Sequence, residues 1–533
     1  MLEFIRGLFK AEEKQSEPVK VAENSETEKY FHLWMSYFVD AYTDFVEGDE
    51  KKLPTVYSYL ASGDIKVTVK AADAIARYME KLDYVGICHL DDWFRQLTSM
   101  EWSIDWKGIS PKDIRTKTRK DYLWVLRLGT FHPNGYFREK CVKELQYDKG
   151  SLIFIILRLN DWVPEVRRVA SKACLEMPAI QYSEVIPCLL YLEKLRQRGI
   201  PNDAVIRDLE DKISDTAQNQ TTLIDRTFVR THGEIERRVA YRFFVSRKLV
   251  NKAETDNIIS WEKNSQLQAL LMTLLIQNYE VSTEELDTYI NHKSLSVNYK
   301  ALEVKYERLK DYWAGLENSL LSQSTRIRSY VSHILNQHTS IDIAAYYRER
   351  LETSNKKVCI LGLGDNGTKE DVETLKPYLE ASEEGIVKAT LHAIGSLLRE
   401  DGAEIYWRFL QDSREVVARQ AYREIAAHDV RYGAEKIFNL LTETESELLK
   451  EKLTLMLLKE PVWDALPYRL MLYASEDEAI KSIIHPFKGR ISTYSTMSAE
   501  HAEWIKSIMA DEKYKIPKGL QDEILFSMKY SIK

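Results

Sequence analysis

Hydrophobic residues along the chain recur in a ten-residue pattern: apolar first, small or β-branched fifth, commonly small or apolar eighth, apolar ninth. Positions 1, 5, 8 and 9 share one face of a helix with 3.6 residues per turn, and a small fifth residue lets a neighbouring helix approach. The copies run "VTVKAADAIA" from Val67, "FREKCVKELQ" from Phe137, "VRRVASKACL" from Val166, "IERRVAYRFF" from Ile235 and "LQALLMTLLI" from Leu267. They continue with "VNYKALEVKY" from Val297, "IRSYVSHILN" from Ile327, "NKKVCILGLG" from Asn355, "IVKATLHAIG" from Ile386, "VARQAYREIA" from Val417 and a weaker "LKEKLTLMLL" from Leu449. From Ile235 onward the starts are 32, 30, 30, 28, 31, 31 and 32 residues apart, which marks a tandem array. Upstream of each copy lies a second amphipathic stretch, such as "DVETLKPYLEASEEG" or "GAEIYWRFLQDSREV", which predicts an outer helix and a short polar turn. The predicted fold is all-α: antiparallel helix pairs stacked into a right-handed α-solenoid, or superhelix.

The stretches "RLNDWVPEVRRVASKACLEM" at 158 to 177 and "FLQDSREVVARQAYREIA" at 409 to 426 resemble HEAT repeats. The resemblance is strongest to the short bacterial kind related to the HEAT-like repeats of phycobilisome lyases. It covers 120 to 490 with good regularity and 50 to 80 more loosely. It implies that the position-2 arginines Arg138, Arg167 and Arg328 join a loop-bridging ladder with aspartates, a structural role. Lys356, Val387 and Ala418 replace that arginine in later copies.

The expected organisation is a short amphipathic helix and polar tether over 1–28, then an N-terminal helical region over 29–125 with a degenerate repeat and an insertion carrying Trp93, Trp102, Trp106 and Trp124. HEAT-like repeats occupy 126–177, longer inserted helices 178–225, the regular array 226–490, and a C-terminal helical cap 491–533. In "MLEFIRGLFK", Leu2, Ile5, Leu8 and Phe9 share one helical face, so this helix over 1–10 either packs back on the body or docks to a partner or membrane surface.

Composition sharpens this picture. With 20 Gly and 13 Pro in 533 residues, turn-rich β architecture is disfavoured and helix favoured. A net charge of -7 argues against a surface basic all round for wrapping nucleic acid, leaving room only for a local patch. The five cysteines, Cys88, Cys141, Cys174, Cys188 and Cys359, sit among apolar neighbours, as small core residues of a reducing compartment do. No apolar run is long enough to span a bilayer and no signal peptide is evident, so a cytoplasmic location is expected.

The chemical motifs are weaker than they look. "GLGDNG" places Gly362, Gly364 and Gly367 in a G-x-G-x-x-G, but a dinucleotide turn needs a strand before it and a second strand after it, and the repeat register puts helices in both places. In that register Gly362 fills position 8, Gly364 ends the helix, and Thr368 caps the next one. There is no H-E-x-x-H, C-x-x-C, G-x-S-x-G or P-loop, so no catalytic residue, cofactor or metal ligand is assigned.

The expected function is therefore a non-catalytic scaffold or adaptor that binds a protein or peptide partner on its concave face, bordered by positions 3 and 7 of the inner helices. The expected contacts are Arg237, Tyr241, Tyr299, His333, Lys388, His392, Arg419 and Arg423, facing an acidic or mixed partner. The first alternative is nucleic-acid binding through the basic patch 225 to 248, with Arg226, Arg230, Arg237, Arg238, Arg242 and Lys248. Its bland counterpart has Phe228, Phe243 and Phe244 as core, with the arginines covering the edge. The second alternative is a lyase or DNA glycosylase of the kind found among HEAT-like folds, which needs a pocket with a buried carboxylate or His.

Overall fold

The computed structural model describes residues 25–94, 104–177, 179–198, 203–219, 224–352, 355–485, 487, 489–491, 495–529 and 531–532. The helix expected over 1–10 and Trp102 lie outside them. Among the described residues there are 29 α-helices and no strand, with one isolated bridge between Met497 and Ile532. No helix is long and apolar enough to cross a membrane among the residues described.

Side-chain caps and the apolar pattern together decide where helices begin. Asp64 accepts from the backbone N–H of Lys66 and Val67 to open Ile65–Met79. Reciprocal capping boxes, Thr118 with Asp121 and Ser282 with Glu285, open Arg119–Gly129 and Thr283–Ile290. The helices then pack in consecutive pairs, in two compact units, Met1–Leu302 and Glu303–Lys533.

In the first unit Arg119–Gly129 lies between Ile65–Met79 and Gly135–Leu145, which packs on Pro164–Glu176. The segment 178–225 contains two long helices, Val185–Arg198 against Glu234–Ser246 and Asp203–Gln218 against Pro164–Glu176. Trp106, from the tryptophan-rich insertion, is buried against His132 at 4.3 Å, Phe137 at 4.8 Å and Tyr57 at 5.7 Å between ring centroids. The insertion thus braces the core. Burial, with the nearby Arg138 charge, pushes the His132 imidazole down to about 3, so it stays neutral.

In the second unit the inner helices Thr325–His338, Lys356–Asn366, Glu384–Leu398, Glu415–Ala427 and Glu447–Leu457 pack on one another in chain order. At the C-terminal end Ala499–Ala510 and Lys518–Met528 close over Trp463, Leu466 and Leu470 through Ile505 and Ile524.

The copies from Val67, Val166, Leu267, Val297, Ile327, Ile386, Val417 and Leu449 bury all four pattern positions. The copy from Ile235 does not. Ile235 is 51% exposed, while Ala240, Phe243 and Phe244 are buried, so this unit starts one residue later, at Glu236. The step to Leu267 then becomes 31 residues. Ile235 and Val239 satisfied the pattern by type, whereas the true first position carries an acid that caps the Gly233 N–H at 2.7 Å.

The glycine-rich stretch also differs in detail. The helix Lys356–Asn366 runs past Gly364 and is capped by Gly367. Gly364 is instead buried in a helix crossing, where a Cβ would meet the Ala393 Cα at 2.5 Å. Gly362 fits against the Tyr347 ring, 2.2 Å from where its Cβ would be. The next helix begins at Asp371, whose carboxylate accepts from the Thr368 N–H at 2.8 Å, so Thr368 is not its N-cap.

All five cysteines are buried, and burial pushes the Cys141 and Cys188 thiols well up from their ordinary range and Cys174 up to about 12.

Candidate functional site

The position-2 side chains tie successive loops together. In the first unit Arg138 donates from Nη1 to the carbonyls of His132 and Pro133, both at 2.7 Å, and grips Asp161 with Nε at 3.0 Å and Nη2 at 2.7 Å. Arg158 donates from Nη1 at 3.3 Å to the Asp161 Oδ2, which the Arg138 Nε also reaches, and pairs with Asp91. Arg138, Arg158 and Asp91 are fully buried and Asp161 almost so. Gln268 continues the theme, donating to the Glu262 carbonyl at 2.8 Å and accepting from Ser294 at 2.6 Å. In the second unit Arg328 donates to the Ser322 carbonyl at 3.2 Å and to Asp365 at 2.9 Å. Where later copies lack that arginine, a loop arginine substitutes: Arg414 grips Asp412 and donates to the Ala381 carbonyl at 3.0 Å. That grip, outweighing burial, holds the Asp412 carboxyl below the usual range.

The one-residue shift at Glu236 reassigns two expected contacts. Arg237 is the position-2 residue of its unit and donates from Nη1 to both oxygens of Glu262, at 2.7 and 2.8 Å. Tyr241 is fully buried, and its hydroxyl donates to the same carboxylate at 2.8 Å. Burial and the Glu262 charge together raise the Tyr241 phenol far above its ordinary value. Neither side chain faces solvent as a position-3 or position-7 residue would. Tyr241→Phe removes one buried O–H···O bond and is expected to lower stability by about 1 kcal/mol, read from urea unfolding. Tyr299 is half-buried.

In the basic patch most of the positive charge is already answered. Arg238 pairs with Glu234, Arg242 with Glu193 at 3.1 Å, and Arg247 with Glu210 at 2.8 Å and Asp211 at 2.6 Å. Arg226 lies over the Trp261 ring at 5.4 Å, and Arg230 and Lys248 are exposed. Phe228, Phe243 and Phe244 are buried. A cleft of about 400 Å³ here is lined by both signs, Arg196, Arg242 and Arg247 with Glu193 and Glu210.

The second unit is different. His333, Lys357, His392, Arg419 and Arg423 are exposed and Lys388 is half-buried, all at positions 3 or 7 of consecutive inner helices. Arg419 pairs with Glu415 at 3.0 Å within its own helix. Among the described residues, Lys357, Lys388 and Arg423 have no ion-pair partner. A cleft of about 790 Å³ opens beside Lys357 and Leu361, lined also by Gln323, Tyr378, Ser382 and Ile386.

Beneath this face lies a group that pattern reading missed. Glu424 occupies position 8 of its copy, a core position, and is 4% exposed. Its Oε1 accepts from the His392 Nδ1 at 3.0 Å and from the Gln420 Nε2 at 2.5 Å, and the His428 Nε2 lies 3.4 Å from Oε2. Gly395 makes room for it, since a Cβ there would sit 2.2 Å from Oε2. The signal was present as an acid at a position that takes small or apolar residues. The hydrogen bond from His392 to Glu424, outweighing partial burial, raises the imidazole above its usual range. A raised histidine adds stability that is full below the unfolded value and is lost as pH rises through the folded one. Proton NMR of the imidazole is expected to show a midpoint above the ordinary value of about 6.5, and Glu424→Gln is expected to bring it down.

Glu424 is a buried carboxylate of the kind the lyase or glycosylase alternative needs. Its oxygens are, however, engaged by His392, Gln420 and His428, and neither the cleft beside Lys357 nor the shallow hollow lined by Tyr422 and Ile425 is lined by it. Among the described residues no group of three or more His, Cys, Asp or Glu could hold a metal ion.

No known protein family and no curated protein matches the chain. Among solved structures it is similar to the karyopherin Kap121p, crystallised with the extreme C-terminus of the protein phosphatase Cdc14p, at 11% identity and a TM-score of 0.24 over 95% of this chain. The chain spans 55% of that karyopherin's length. It is also similar to an engineered protein, at 14% identity and a TM-score of 0.14, over 90% of this chain and 98% of the other.

Proposed function

We propose that the protein is a HEAT-like scaffold that binds a protein or peptide partner on the inner-helix face of its second unit and catalyses no reaction itself. The observation that carries this reading is the division of labour along the inner helices: positions 5, 8 and 9 are committed to the core in every copy from Ile327 to Val417, and position 1 in all of these but the copy from Asn355, while positions 3 and 7 bring His333, Lys357, Lys388, His392, Arg419 and Arg423 to one solvent-facing side. Stacked repeats make extended binding surfaces of this kind. The arginines at 225 to 248 support the nucleic-acid alternative less well, because four of them, counting Arg237, are bound to carboxylates.

The test is purification of the full chain from native extract at its endogenous level, with mass spectrometry of what accompanies it and absorbance at 260 nm. A specific accompanying protein is the expected result. A clean preparation, or one dominated by nucleic acid, contradicts the reading.

A further inference from the structure

Three consecutive inner helices of the second unit, Lys356–Asn366, Glu384–Leu398 and Glu415–Ala427, pack directly on one another. Each contributes one pair of residues to the open face, four apart and so one turn above the other: Lys357 with Leu361, Lys388 with His392, Arg419 with Arg423. The row therefore carries cations at every helix, and among the described residues the carboxylates paired to it are the exposed Glu415, on Arg419, and the buried Glu424, on His392. Packed helices sit about 8–10 Å apart, so a ligand crossing them meets positive charge at that interval.

An extended peptide matches this interval in a particular way. A polyproline II segment rises about 3.1 Å per residue with three residues per turn, so every third side chain points the same way, about 9 Å from the last. A strand would alternate its side chains between two faces and present every second one, about 6.6 Å apart, which falls out of step with the helices. Resting on the scaffold reading above, we propose that this row binds an extended acidic peptide segment with a carboxylate at every third residue, one to each inner helix.

The test uses the full chain and fluorescein-labelled peptides of about fifteen residues, followed by fluorescence anisotropy at low salt. One peptide repeats Glu-Ser-Pro, a second has the same composition with its glutamates grouped together, a third repeats Lys-Ser-Pro, and a single-stranded DNA of similar length is the fourth probe. Saturable binding of the Glu-Ser-Pro peptide is expected, weakened about tenfold or more by grouping the acids or by Arg419→Glu with Arg423→Glu. Lys518→Glu with Lys529→Glu makes the same change in net charge outside the row and is expected to leave binding unaltered. Arg419→Gln with Arg423→Gln serves as the milder variant, with circular dichroism confirming that each variant is folded.

Equal binding of the periodic and grouped peptides, or binding indifferent to Arg419 and Arg423, would overturn the proposal. So would DNA binding more tightly than the Glu-Ser-Pro peptide through the same two arginines. Binding of the Lys-Ser-Pro peptide in place of the acidic one sinks the acidic assignment but leaves the scaffold reading standing. Failure of every peptide, together with no accompanying protein from native extract, ends both.

Discussion

Replacing Asp161 with alanine is expected to cost about 3–5 kcal/mol of stability, the range for removing one partner from a buried ion pair. Asp161 stands between two arginines that are themselves fully buried, Arg138 and Arg158. Without it both guanidiniums keep their desolvation cost, and only Arg158 retains a carboxylate, Asp91. Burial by itself would raise the Asp161 carboxyl, but hydrogen bonds from Arg138 and the charges of Arg158 and Arg138 outweigh it, and the group lies below its ordinary value. A depressed carboxylate contributes stability that is present above the unfolded value and is lost as pH falls through the folded one. The variant should therefore be destabilised near neutrality and show a flatter loss of stability in acid. Urea unfolding followed by circular dichroism across that pH range measures both. A cost below about 1 kcal/mol at neutral pH would contradict a stabilising role for the network.

Gly364→Ala gives the second large effect, and its sign separates two accounts of the glycine-rich stretch. By helix propensity alone, alanine inside a helix should stabilise by about 1 kcal/mol. The added methyl group, however, would meet the Ala393 Cα at 2.5 Å, an atom of the facing backbone that cannot rotate away. Helices Lys356–Asn366 and Glu384–Leu398 would have to move apart, at an overpacking cost of about 1–3 kcal/mol or more. The steric term is the larger, so net destabilisation of about 1–2 kcal/mol is expected. Gly385→Ala is the internal comparison, because nothing lies within 4 Å of its Cβ, and it should be neutral or mildly stabilising. Thermal unfolding of the two variants reads the contrast directly, and similar behaviour of both would contradict the close crossing.

Much of the architecture is legible in the chain because period and burial are the same fact seen twice. An apolar residue at positions 1 and 9 and a small one at position 5 leave few ways for a helix to pack. Ala170, Ala301 and Ala421 at position 5 are fully buried, as the pattern requires. The reading fails where residue type and position part company. Ile235 is apolar yet exposed, and Glu236 is acidic yet first in its unit, so the apolar pattern points one residue too early there and puts Arg237 and Tyr241 at open-face positions that they do not occupy. Glycine was ambiguous for a similar reason: it ends helices and also permits close crossings, and only the three-dimensional neighbour, Ala393, distinguishes the two for Gly364. The Glu424 group was hidden because His392 comes from the preceding unit and meets it only when neighbouring units stack, although His428 lies just one turn on in the sequence.

The division of the chain into two units was not legible at all, since the repeat continues with unchanged spacing through residue 302. Charge, by contrast, could be read only in part. The arginine-rich stretch at 225 to 248 looked like the more basic surface, but Glu193, Glu210 and Asp211, which answer it, lie well upstream. The sparser cations of the second unit stand out because fewer carboxylates reach them.

The central claim is that a partner lies across positions 3 and 7 of the inner helices in the second unit, and site-specific photo-crosslinking tests it most directly. A photoreactive amino acid placed at Arg423, on an inner helix, is compared in native extract with the same group at Glu404, exposed on the outer helix Ala403–Leu410. A discrete protein adduct from position 423 and none from position 404 is the predicted result. No adduct at 423, equal yields at both positions, or an adduct to nucleic acid would contradict the account.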